Sequence, residues 1–160
     1  IVAPRHVLTK VLLAKQGADL CGSSMDQAIV QHYFEDIPWQ RTLQRFIQTY
    51  TTRRDAMLAA LEEFFPPEAT WTHPEGGLFV WVTLPEYVDT GSMLAEALEA
   101  GVTYVPGDSF YPNGSAGKNS MRINFSYESP QNITEAIRRL AEVIEARLEL
   151  YRVFIEAGAL

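Results

Sequence analysis

Two consecutive prolines, Pro66-Pro67, divide this chain into stretches whose apolar residues recur with different periods, and no single regular element can run through them. Before them, from Trp39 to Phe65, the residues Leu43, Phe46, Ile47, Tyr50, Met57, Leu58, Leu61 and Phe65 return at intervals of three and four. That spacing predicts one long helix with a single apolar stripe. After them the pattern shortens. Thr70 to Thr72 predicts a short strand, and Leu78 to Leu84 a stronger one, with Phe79, Trp81 and Thr83 on one face and Leu78, Val80, Val82 and Leu84 on the other. Asp89 or Thr90 should cap a helix through Met93, Leu94, Ala97 and Leu98, with Gly101 just past its end. Val102 to Val105 then reads as a strand entering a turn at Pro106-Gly107, and Pro112 to Lys118 as a loop rich in Gly, Ser and Asn. Ser129-Pro130 opens a last amphipathic helix carrying Ile133, Ile137, Leu140, Ala141, Ile144 and Leu148, which the tail to Leu160 could extend.

Upstream of the long helix, Pro4 suits the first position of a helix bearing Val7, Leu8, Val11 and Leu12 and ending near Gly17. Ser24 with Gln27 resembles a capping box for a second helix. Ile1 to Ala3, with no initiator methionine, read as the tail of a buried strand that begins earlier, as in a fragment. Strands interleaved with helices from about residue 38 predict an α/β layer. The expected boundaries are 1–37 for a truncated first domain, 38–65 for a linking helix and 66–160 for a small second domain.

Within Asn119 to Ser126, the sequence Asn-Ser-Met-Arg-Ile-Asn-Phe-Ser sets an arginine into an otherwise apolar strand. Met121, Ile123 and Phe125 should face one way, and Arg122, Asn124 and Ser126 the other. A guanidinium is always charged and presents a planar fork that meets a carboxylate in two parallel hydrogen bonds. Arg122 is therefore a candidate carboxylate anchor. On the strand alone, pairing with a nearby Asp or Glu, or reaching solvent, is the more economical reading.

Composition narrows the partners. Thirteen Lys and Arg against 20 Asp and Glu give a net charge of −7, which disfavours nucleic acid. No apolar run approaches the roughly 18 residues of a membrane helix. The single cysteine, Cys21, cannot form an internal disulfide and reads as a small packing residue. His6, His32 and His73 have no metal-site spacing, and His73-x-Glu75 lacks the cysteine pair that would complete a zinc deaminase motif.

Taken in order, Pro74-Glu75-Gly76-Gly77-Leu78-Phe79-Val80-Trp81, Gly101-Val102 through Val105-Pro106-Gly107 with Phe110, and Met121-Arg122-Ile123-Asn124-Phe125 resemble the C-terminal part of class I and II aminotransferases. These are fold-type I enzymes that use pyridoxal phosphate, and the likeness is to the group containing aminoadipate and broad-specificity aminotransferases. The resemblance covers nearly the whole chain. It implies the end of a large α/β domain, a linking helix and a small α/β domain. It further implies a homodimer, a cytoplasmic location, and an amino acid and a 2-oxo acid as substrates.

By the same resemblance Arg122 grips the substrate α-carboxylate, which positions the substrate and makes no bond. Gly76-Gly77 makes a tight turn. Phe79, Trp81 and Phe110 belong to core or pocket wall, and Tyr104 or Tyr111 could border the mouth of the site. Family members hold pyridoxal phosphate on a lysine. Lys10, Lys15 and Lys118 do not occupy that setting, so the cofactor lysine is expected upstream of Ile1, no catalytic residue is expected in this stretch, and the chain alone should not transaminate. Two other readings stay open: the aminotransferase-like half of a transcriptional regulator, and a non-catalytic carboxylate-binding module.

Overall fold

Eleven segments of regular backbone lie within the first 156 residues, which are the ones described by this computed structural model. Helix α1, Arg5–Asp19, starts one residue later than expected, because Pro4 keeps an extended ψ of 148° and acts as its cap. It ends where Leu20 turns to φ 54°. Helix α2, Ser24–Asp36, is capped by Ser23 and not by Ser24: the Ser23 hydroxyl accepts the Asp26 N–H at 3.2 Å. Both serines can cap, and the one outside helical φ/ψ does so. Helix α3 runs over Trp39–Phe64, as the stripe predicts.

Two compact units result, Ile1–Arg45 and a second beginning at Phe46. In the first, α1 and α2 bury no residue, and Phe34 packs edge-on against Tyr33 and Trp39 with centroids 5.6 and 5.1 Å away. Ile1 and Val2, expected to finish a buried strand, are exposed and lie in none.

The second unit is built on a four-stranded antiparallel sheet. Its strands are β1 (Thr70–Trp71), β2 (Phe79–Thr83), β3 (Val105–Pro106) and β4 (Ser120–Asn124), in the order β1-β2-β4-β3. Helix α4 spans Thr90–Glu99 and α5 spans Pro130–Glu156. Period-two alternation decides which face is dry: Val80, Val82 and Leu84 join Met121, Ile123 and Phe125 in the core. Against them lie Met57 and Leu61 of α3, Met93 and Ala97 of α4, and Ile133, Ile137, Leu140, Ile144 and Leu148 of α5. The stripe of α3 is buried only in its second half, since Leu43, Phe46 and Ile47 stay exposed.

One strand is displaced from its expected position. Val102 to Val105 reads as a strand, yet β3 pairs only at Val105 and Pro106. Gly101 takes φ 77° and the Val102 N–H bonds the Ala97 carbonyl at 2.9 Å, closing α4 with the groups a strand would need. Pro106 is tolerated because β3 is an edge. The start of α4 is fixed from both sides. Asp89 Oδ1 accepts the Ser92 N–H at 3.0 Å, and the Thr90 hydroxyl reaches the Lys118 carbonyl at 2.9 Å and the Ser120 carbonyl at 2.6 Å.

On α5, Glu135 accepts from both Arg138 and Arg139, at 2.9 and 2.8 Å, and these hydrogen bonds draw its carboxyl down to about 2 from an ordinary 4.5. A lowered folded-state value means that the stabilisation is complete above about 4.5 and is lost as pH falls toward 2. Glu135→Gln should therefore lower stability above about pH 4.5, pH 7 included, and the two proteins should converge as pH falls toward 2, so that the acid limb of the variant is flatter over that window. The carboxylate is exposed and solvent-screened, so the difference should also shrink in high salt.

Candidate functional site

On the sheet face opposite the core, register brings Arg122 of β4 beside Trp81 of β2 and Val105 of β3. Phe79, which pairs with Asn124, lies one diagonal step away. The guanidinium carbon of Arg122 stands 4.0 Å from the Phe79 ring centroid and 4.6 Å from that of Phe110. Phe110 also meets Trp81 edge-on, with centroids 5.4 Å apart. No carboxylate among the described residues forms an ion pair with Arg122, and its buried Nε has no hydrogen-bond partner. The structure thus holds a half-buried cation by ring faces and leaves its hydrogen-bond donors free.

Phe110 does not come from the sheet. It ends a 3₁₀ turn, Gly107–Phe110, and two glycines bring that turn close to the approach to β4. A Cβ at Gly107 would lie 2.5 Å from the Gly117 carbonyl oxygen and 2.9 Å from both Cβ and O of Ser120. Gly117 takes φ 75°, and a Cβ there would sit 2.5 Å from the Tyr111 ring and 2.9 Å from the Gly107 carbonyl oxygen. Backbone meets backbone here, so relief requires the loop to part. Gly107→Ala should cost about 1–3 kcal/mol in denaturant-measured stability, as overpacking does. It should also move Phe110 away from Arg122.

The other residues singled out in the sequence are scattered. Tyr104 is buried in the core, not at a mouth: its hydroxyl donates to the Thr90 carbonyl at 2.7 Å, and burial pushes its pKa up. Tyr111 is exposed and packs on Gly117. Gly77 turns with φ 82° before β2, whereas Gly76 needs no positive φ. Cys21 is exposed and not packed. His73 and Glu75 are exposed, and no group of described residues could hold a metal ion. No helix among the described residues is long and apolar enough to cross a membrane.

These residues do not fit a cradle for pyridoxal phosphate. Lys10, Lys15 and Lys118 are all exposed, and Asp19 engages Lys15 at 2.9 Å. Neither a buried lysine nor a buried carboxylate is present among the described residues to hold such a ring. The sequence places Gly107 in a turn and Gly117 in a loop, but it does not reveal the close approach between them that brings Phe110 to Arg122. The signal is weak, since nothing local marks two glycines ten positions apart as mutual contacts.

A family profile described as Aminotransferase class I and II matches residues 6–140. This chain belongs to that family. Aromatic-amino-acid aminotransferase 1 of Thermococcus litoralis is 46% identical over 149 residues, covering 93% of this chain and 36% of that protein. The crystal structure of a multiple substrate aminotransferase from Thermococcus profundus superposes with a TM-score of 0.82 at 45% identity, covering 92% of this chain and 36% of that one. An alpha-aminoadipate aminotransferase from Thermus thermophilus, complexed with N-(5'-phosphopyridoxyl)-L-leucine, gives a TM-score of 0.78 at 35% identity over 93% of this chain and 38% of its own. The chain therefore spans a little over a third of the relatives that it matches.

Proposed function

We propose that these residues form the C-terminal part of a pyridoxal-phosphate-dependent aminotransferase, in which Arg122 grips the α-carboxylate of an amino acid or 2-oxo acid while the amino group is exchanged. The observation that carries the reading is an arginine with both ring support and free donors: among the described residues no acid neutralises it, and two aromatic faces hold it. A carboxylate is the natural complement of that fork. On this reading residues 1–37 end a large cofactor-binding domain, 38–65 are the linking helix and 66–160 the small domain. The cofactor lysine belongs to a part of the protein outside these 160 residues, consistent with the exposure of all three lysines here. On the same reading, and as the family likeness implies, the full-length protein is a homodimeric cytoplasmic enzyme.

The test is Arg122→Ala in the full-length protein, titrated with L-leucine, L-phenylalanine and L-2-aminoadipate while the absorbance of the bound cofactor is followed. Affinity for each amino acid that binds should fall while the cofactor stays in place. Loss of the cofactor, an unchanged affinity, or no binding of any of the three by the parent protein would contradict the role assigned to Arg122.

A further inference from the structure

Resting on that reading, we infer that Phe79 and Phe110 are positioning residues for the carboxylate anchor: their ring faces fix the Arg122 guanidinium without occupying its donors. A half-buried arginine is usually fixed by an acidic neighbour, and such a neighbour would use the same N–H groups that a ligand carboxylate needs. An aromatic face works differently. It attracts the cation through the ring quadrupole and, unlike a carboxylate, does not engage two N–H groups of the fork in parallel hydrogen bonds. With ring centroids 4.0 and 4.6 Å from the guanidinium carbon, both phenylalanines are well inside the range of that attraction.

The two rings come from independent supports. Phe79 opens β2 and is held by the β2–β4 register, opposite Asn124. Phe110 hangs from the 3₁₀ turn that the Gly107 and Gly117 contact closes, and it is braced by Trp81 edge-on at 5.4 Å. Holding the fork in one orientation before a ligand arrives lowers the entropy that binding must overcome.

The experiment is a double-mutant cycle in the full-length holoenzyme, reading the Kd of the tightest-binding amino acid from the titration above. Phe110→Leu should raise that Kd about 3- to 10-fold, the range expected for losing one cation–ring contact at a partly shielded site. Phe79→Leu, on a different element, should do the same. Phe110→Tyr should restore parent affinity, because it returns a ring face. In the Arg122→Ala background both leucine substitutions should change Kd by less than about 2-fold, since the group they position is gone. Leucine variants that leave Kd unchanged, or that raise it equally with and without Arg122, would overturn the positioning role and leave the anchor intact. An Arg122→Ala variant that binds as the parent does would instead remove the anchor itself, and this inference with it.

Discussion

Phe125→Ala is expected to destabilise the protein by about 3–5 kcal/mol, while Arg122→Ala within the adjoining strand changes stability by about 1 kcal/mol or less. The contrast follows from the alternation of β4, which carries on into the residue after it. Phe125 is 2% exposed, on the same buried side as Met121 and Ile123, so truncation removes a large apolar group and leaves a cavity that close-packed neighbours from α3 and α5 cannot fill. Arg122 points to the opposite face, where it contacts ring faces and makes no ion pair among the described residues. Deleting it forfeits those contacts and strands no buried partner charge. Urea unfolding followed by far-ultraviolet circular dichroism should show a lowered midpoint for Phe125→Ala at an unchanged slope. A comparable loss in both variants would mean that Arg122 is part of the scaffold, and the alternation argument for β4 would fail.

That alternation is the part of the molecule most legible in the sequence. Met121, Ile123 and Phe125 against Arg122 and Asn124 state a strand, its dry face and its polar face in one short stretch, and the structure keeps all three. The period of α5 and of the second half of α3 likewise names the helix positions that reach the core. What escaped depends on competition between neighbouring elements. Val102 could serve a strand or the end of α4, and the backbone bond to Ala97 decides for the helix. Ser23 and Ser24 could each cap α2, and only backbone geometry separates them. Arg122 could be picked out as a candidate, but its surroundings could not. Phe79 reaches it through the β2–β4 register and Phe110 through a loop closed by two glycines, and both are relations between segments that no local pattern encodes.

Arg122→Lys should rescue little of the binding that Arg122→Ala removes, although lysine keeps the charge. Truncating one partner of a shielded charge-assisted pair costs about 2–5 kcal/mol, so Arg122→Ala should weaken amino-acid affinity by roughly 30-fold or more. Lysine offers an ammonium whose donors radiate from a single nitrogen, and it cannot present two parallel N–H groups to one carboxylate. It also lacks the planar, delocalised group that the Phe79 and Phe110 ring faces flank at 4.0 and 4.6 Å, so the orientation those rings impose is lost as well. The expected order of affinity is parent, then a wide gap, then lysine and alanine close together, with the bound cofactor's absorbance the same in all three. If lysine instead restored most of the affinity, a point charge would be sufficient at position 122. The planar fork and its aromatic support would then have no part in recognition, and the carboxylate would be held by charge attraction alone.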